Sequence, residues 1–275
     1  VLGRRADGFH EIRTLFAEVG LADEVTVERT ALPGVVCETV GASLPEGPAN
    51  LAARAAGLWL AQARAPGGAR VRLAKRLPVG GGMGGGSSDA AAVLRLLEAG
   101  GPPLGPERLR ALAASLGSDV PFFLTGGAAV GRGRGERIEP LPPPPEVPVV
   151  LLVPPFPTET AAVYRAFERP PRVAAAPALE EAVAALASGD PARLRAAHRN
   201  DLAFGAMRAY PDLARFCAHA ERLLGRPPCL TGSGSTFFDL PDPGETETVV
   251  SRLAPLPGRR DVTSLGGVAP SASGA

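Results

Sequence analysis

Between Leu77 and Leu94 the chain reads LPVGGGMGGGSSDAAAVL, with six glycines in the seven positions 80–86, then two serines, an aspartate and an Ala/Leu-rich run. Glycine has no Cβ and tolerates φ > 0, so a run of it lets backbone N–H groups close around an anion. A helix that follows adds unpaired N–H groups and the positive end of its dipole at the same point. The spacing predicts a helix starting near Ser87 or Ser88, where a hydroxyl caps the helix or touches phosphate. Phosphate binding is therefore expected of Pro78, Val79, Gly80, Gly81, Gly82, Met83, Gly84, Gly85, Gly86, Ser87 and Ser88. A P-loop is excluded, because no lysine follows the glycines. A dinucleotide fingerprint fits poorly, since Pro78 interrupts the entry and the only acid at the required distance, Glu98, ends a helix. A flexible linker is the bland alternative, and linkers seldom end against a capped amphipathic helix.

Other candidates are weaker on their own. Asp119 in LGSDVPFF stands at a turn beside apolar surface, where a capping role is the more common one. His10 in DGFH reads as a surface or satisfied histidine. Tyr164 shares a helical stripe with Ala161 and Phe167, which suits core packing as well as stacking on a base. LTGSGST (230–236) is a second glycine turn or a plain hairpin turn. Asn50 precedes LAARAAGLWLAQAR as an N-cap. Cys37, Cys217 and Cys229 form no CxxC pair, and His198 and His219 have no partner at metal spacing, so neither a disulfide framework nor a zinc site is expected.

The elements that must position these residues follow from periodicity. Strands are expected at 23–30, 34–40 and 69–75, helices from Asn50, from Ser87 or Ser88 to Gly100, and from Pro106 to Leu116, and a hairpin at 127–141. PLPPPPEVP (140–148) reads as a stiff joint unable to form a central strand, and the domain boundary is placed there, 1–145 and 146–275. Beyond it come a buried strand at 147–153, helices near 160–168, 178–187, 191–198 and 210–224, a strand at 235–240, a helix at 245–253 and a strand at 261–265. The pattern is α+β with the helices on one face, ending in a frayed tail at 267–275.

The 275 residues carry 29 Lys and Arg against 28 Asp and Glu, so bulk charge points to neither nucleic acid nor an acidic membrane. Lys75 is the only lysine. No apolar run approaches the ~18–20 residues of a membrane span, and a cytoplasmic protein is expected.

PVGGGMGGGSS (78–88) with the following DAAAVL resembles the phosphate-binding motif of the GHMP kinases. GRRADGFHEIRTLF (3–16), ANLAARAA (49–56), AKRLP (74–78), LGSDVPFFLTGGAAVGRGRGE (116–136), PTETAAVY (157–164), RND (199–201) and LTGSGSTFF (230–238) agree in order, so the resemblance spans nearly the whole chain. It implies a ribosomal protein S5 domain 2-like N-terminal domain and a ferredoxin-like C-terminal domain. It also implies a soluble kinase, monomeric or homodimeric, that uses ATP and Mg²⁺ to phosphorylate the tertiary 2-hydroxyl of a cytidine-diphosphate-linked methylerythritol in isoprenoid precursor synthesis. By the same resemblance Asp119 is the catalytic base, and Lys75 and Asn50 lie near the nucleotide. His10 would read the cytosine edge, Phe9 would stack on its ring, and Tyr164, with Thr160 nearby, would stand across the pocket. Gly232, Ser233, Gly234 and Ser235 would close over the acceptor, while Asn200 and Asp201 match positions of open role. The family pairs its aspartate with a lysine in a PAK-x-N-L strand for which this sequence has no match. The expectation is a missing first strand, with another GHMP kinase or an inactive nucleotide-binding module as alternatives.

Overall fold

The computed structural model describes residues 1–167 and 178–266. The first part of the chain runs β1 (Gly3–Arg4), β2 (His10–Ala17), β3 (Glu24–Thr30), β4 (Gly34–Val40), α1 (Leu51–Ala63), β5 (Gly68–Ala74), α2 (Gly85–Gly100), α3 (Pro106–Leu116), α4 (Val120–Thr125), β6 (Ala128–Gly133) and β7 (Arg137–Leu141). The second part runs β8 (Val147–Val153), α5 (Thr160–Ala166), α6 (Leu179–Ser188), α7 (Pro191–Ala197), α8 (Leu202–Ala209), α9 (Pro211–Leu224), β9 (Cys229–Leu230), β10 (Phe237–Asp239), α10 (Thr246–Arg252) and β11 (Arg259–Leu265). The tail reading falls on 267–275, outside the described residues.

Among the described residues three sheets result, ordered β3-β5-β4, β1-β2-β6-β7 and β11-β8-β10-β9. In the first, β5 alternates strictly: Ala69, Val71 and Leu73 are buried, while Arg70 and Arg72 face water. β4 and β5 are parallel, and α1 is the crossover that a parallel pair requires. The alanines of α1 (Ala52, Ala55, Ala56) and α2 (Ala90, Ala91) let the helices pack closely around the fully buried Trp59. The Trp59 indole donates to Glu98 at 2.8 Å, which satisfies the one polar atom of that side chain.

The third sheet corrects one expectation. Val150 and Leu152 pack against α8, α9 and α10, but Val147, Val149, Leu151 and Val153 pack the other way, against Ala185 and Leu186 of α6, Leu194 and Ala197 of α7, and Leu15 and Ala17 of β2. Helices therefore cover both faces, as the unbroken apolar run VPVVLLV physically requires. Pro148 is tolerated in this central strand because β10 pairs only with Val150 to Leu152, leaving Pro148 opposite β11 alone. One boundary differs and one helix is additional. α2 starts at Gly85, ahead of the serines, after Gly84 in the left-handed region. α8 was not among the expected elements; within it Gly205 is a close-contact position, where an added Cβ would sit 3.0 Å from the Val163 carbonyl of α5. No helix among the described residues is long and apolar enough to cross a membrane.

The Asn50 side chain is buried and accepts the Ala52 N–H at 3.0 Å, capping α1. Asn50→Ala is expected to cost about 1 kcal/mol of stability, read as a lower urea midpoint at unchanged m-value; no shift would deny the cap its role.

Candidate functional site

The glycine loop between β5 and α2 uses its glycines for two different reasons. Gly80, Gly82 and Gly84 have φ of 69°, 72° and 70°, which side chains rarely adopt. They are also crowded: an added Cβ would meet Pro157 at 2.7 Å from Gly80, the Gly234 carbonyl at 2.4 Å from Gly82, and the Phe123 ring at 2.7 Å from Gly84. Gly81 is equally confined, 2.7 Å from the Thr236 hydroxyl. The loop is thus pressed against the second glycine turn, and hydrogen bonds fix it there. The Gly80 carbonyl accepts from the Thr158 N–H, and the Gly81 carbonyl from the Thr236 N–H at 3.1 Å. Thr231 Oγ1 donates to the Gly82 carbonyl at 3.3 Å. Gly86 differs, with nothing within 4 Å of an added Cβ. It belongs to the first turn of α2, whose ladder begins where the Ser88 N–H reaches the Gly84 carbonyl at 2.9 Å. The amides of Gly85, Gly86 and Ser87 precede that ladder and form the part of the loop suited to an anion. Both serines border the cleft, and Ser88 turns its hydroxyl back to the Gly85 carbonyl at 2.8 Å.

Beneath this turn Lys75 is ion-paired with Asp23 and, at 2.6 Å, with Asp89, the three side chains being almost wholly buried. The ammonium of Lys75 is directed inward at these carboxylates. Burial pushes the Asp89 carboxyl up to about 6, against the opposing pull of Lys75. Asn50 does not line the cleft, and its carbonyl oxygen is committed to the cap.

Asp119 is the residue before α4, makes no side-chain cap bond, and faces the cleft. Burial pushes its carboxyl above the ordinary aspartate value. The tip of the β6–β7 hairpin lies beside it, since a Cβ on Gly135 would be 3.6 Å from Asp119 Oδ1. Arg134, on that tip, lies over the Phe9 ring with its Cζ 4.7 Å from the centroid. Phe9 is half exposed. The His10 ring stacks on Tyr164 at 4.9 Å and 29°, and Phe167 meets it edge-on at 5.8 Å. Tyr164 therefore presents one face to His10 itself, so these two rings leave no slot between them. Burial, with Arg4 second, lowers the His10 pKa, so the imidazole is neutral at pH 7 with one donor and one acceptor nitrogen. Burial and then the Asp119 charge raise the Tyr164 phenol, which places the aromatic group and the carboxylate in one neighbourhood.

The turn at 230–236 divides in function. Gly232 and Ser233 line the cleft, and Ser233 Oγ lies 2.8 Å from Thr160 Oγ1. Ser235 is buried and donates to the Phe156 carbonyl at 2.7 Å, and the Gly234 carbonyl is the atom that confines Gly82. These two shape the loop from behind. Asn200 braces the turn from outside: its Nδ2 donates to the Leu230 and Gly232 carbonyls at 2.9 and 2.7 Å, while its Oδ1 accepts from the Leu202 N–H. Asp201 pairs with Arg199 at 2.6 Å. Sequence reasoning passed over Arg134, Asp23 and Asp89. Only Asp89 carried a signal, a charge set among the small apolar residues of a helix start.

A family model described as GHMP kinases N terminal domain matches residues 50–127. A 4-diphosphocytidyl-2-C-methyl-D-erythritol kinase of Moorella thermoacetica is 42% identical over 265 residues, covering 92% of this chain and 90% of that one. A solved 4-(cytidine 5'-diphospho)-2C-methyl-D-erythritol kinase superposes with a TM-score of 0.77 at 41% identity, covering 96% of this chain and 94% of that one. A homoserine kinase from Cytophaga hutchinsonii, 17% identical, shares the fold with a TM-score of 0.70 over 91% of this chain and 88% of its own.

The two classes of glycine separate experimentally. Gly82→Ala is expected to cost about 1–3 kcal/mol through overpacking, seen as a lower urea midpoint. Gly86→Ala is expected to keep stability within about 0.5 kcal/mol and to weaken ATP binding about tenfold by calorimetry. A fully stable Gly82→Ala protein would refute the packing account.

Proposed function

The chain belongs to the 4-diphosphocytidyl-2-C-methyl-D-erythritol kinases, a branch of the GHMP kinases, and from that membership we propose that it uses ATP to phosphorylate the 2-hydroxyl of 4-diphosphocytidyl-2-C-methyl-D-erythritol. The observation that carries the reading is the nearness of three features: a Cβ on Gly117, two residues before Asp119, would lie 4.0 Å from Ser87 Oγ at the first turn of α2, the Asp119 charge reaches Tyr164, and Tyr164 stacks on His10.

The amides of Gly85, Gly86 and Ser87, at the positive end of a 16-residue helix, receive the nucleotide phosphates. Asp119 accepts the proton of the acceptor hydroxyl as that oxygen forms its bond to the γ-phosphorus and the bond from phosphorus to the ADP oxygen breaks. Burial without a paired cation among the described residues raises the proton affinity of this carboxylate, which suits a base. Phe9 offers an exposed ring face to the cytosine, and neutral His10 offers a donor and an acceptor to its edge. Thr160 and Ser233, already paired, close the acceptor side. Among the described residues no group of three or more His, Cys, Asp or Glu is placed to hold a metal ion. Mg²⁺ binds through nucleotide phosphates, water and as few as one or two protein oxygens, so it would enter with ATP. A cytoplasmic setting suits substrates that are both soluble phosphate esters.

Asp119→Asn is expected to lower kcat by about 10³-fold while Mg-ATP and acceptor bind within a few-fold of wild type. Because the folded-state pKa is raised, the ionised carboxylate costs stability above that pKa, and the cost vanishes once pH falls below the ordinary aspartate value of 3.8. The asparagine variant should therefore melt higher than wild type at pH 7 and equally at pH 3.5. Undiminished turnover would remove the base role, and an unchanged melting temperature at pH 7 would remove the burial account.

A further inference from the structure

The glycine loop leaves the sheet after β5 and rejoins the fold in α2, and its two ends meet through buried charge. Lys75, the residue after β5, donates from Nζ to Asp23 and, at 2.6 Å, to Asp89 in the second turn of α2. The side chains are 4%, 2% and 3% exposed respectively. Asp23 also accepts from the N–H groups of Arg76 and Leu77 at 2.6 and 2.8 Å, so the two residues that lead into the loop are held by the same carboxylate. A Cβ on Gly85 would lie 3.5 Å from Lys75 Nζ, which puts the ammonium directly beneath the amides suited to an anion.

We infer that Asp23, Lys75 and Asp89 form a clasp that closes the base of the glycine loop and holds the first turn of α2 in place for the nucleotide phosphates, Lys75 acting as a positioning residue without touching them. The nature of the ligand rests on the kinase reading; the clasp does not. A loop whose glycines have little conformational restraint of their own gains a fixed entry and a fixed exit from one ammonium shared by two carboxylates. Burying three charges is a costly way to join two segments, and Asp89 Oδ1 is left buried with no hydrogen-bond partner. What charge supplies here is direction, since an ammonium between two carboxylates admits one register of the loop ends. The arrangement also contains a spare, because Lys75 keeps Asp23 as a partner when Asp89 is neutralised.

That spare makes Asp89→Asn the variant of choice in the full chain. In the ligand-free protein, amide hydrogen exchange across 77–88 should quicken about tenfold while 106–116, the α3 segment, exchanges as in wild type. The KM for Mg-ATP should rise about tenfold and the KM for the cytidine-diphosphate acceptor should stay within twofold. Unchanged exchange across 77–88 would overturn the clasp, as would equal acceleration in α3 or a parallel rise in both KM values, which would mark a general loss of stability. Should Asp89→Asn fail to fold, Asp23→Asn, which retains an oxygen for the Arg76 and Leu77 amides, is judged by the same readouts. If wild type binds no Mg-ATP, the kinase reading fails, and the exchange comparison alone decides the clasp.

Discussion

The carbonyls of Gly80, Gly81 and Gly82 are held by donors from segments far along the chain: Thr158, Thr236 and Thr231. Each bond contributes only about 1 kcal/mol, yet together they decide where the phosphate-receiving helix end stands relative to the acceptor side. The loop is as much a part of the layer around β8 and β10 as of the β5–α2 connection that encodes it. Once its carbonyls are turned toward that layer, the amides at its far end are left to face the cleft. The same contact leaves no room for a Cβ at Gly80, Gly81 or Gly82, so packing alone demands those glycines, whereas at Gly85 and Gly86 a Cβ would meet only ordinary contacts or open space.

Charge inside this frame is arranged at a cost. Asp119 sits where burial disfavours its ionised form, and Asp89 is pushed up to about 6 by the same effect. Neither location is what stability alone would select. The cost is offset elsewhere, by the close α1–α2 packing around Trp59 and by β8, apolar on both faces. The aromatic group follows a similar logic: His10 packs against Tyr164 and Phe167 and burial lowers its pKa, while Phe9, between β1 and β2, stays half exposed beside Arg134 of the β6–β7 tip.

Much of this was legible in the residues. The strict alternation of GARVRLA, the cap at Asn50 and the Pro106 to Gly117 helix carry local signals that tertiary contacts did not override. The glycine loop's place directly ahead of a helix start was legible too. Its interlock was not, because a glycine demanded by a distant backbone, as Gly82 is by Gly234, looks the same in sequence as one demanded by a phosphate. The α8 helix was hidden for a related reason, Gly205 being a contact glycine in a helix interior. Two faces of helices on the third sheet could have been read from VPVVLLV, whose residues have no polar alternate. The partnership of Lys75 with Asp23 and Asp89 depends on chain crossings that no spacing rule reports.

The most direct measurement is ADP release by this chain with Mg-ATP, in the absence of acceptor and then with 4-diphosphocytidyl-2-C-methyl-D-erythritol, homoserine or mevalonate. The account predicts release that depends on the cytidine-diphosphate acceptor, with a new phosphate ester at its 2-hydroxyl by phosphorus NMR. Release that is indifferent to the acceptor, or that homoserine or mevalonate supports equally, would contradict it.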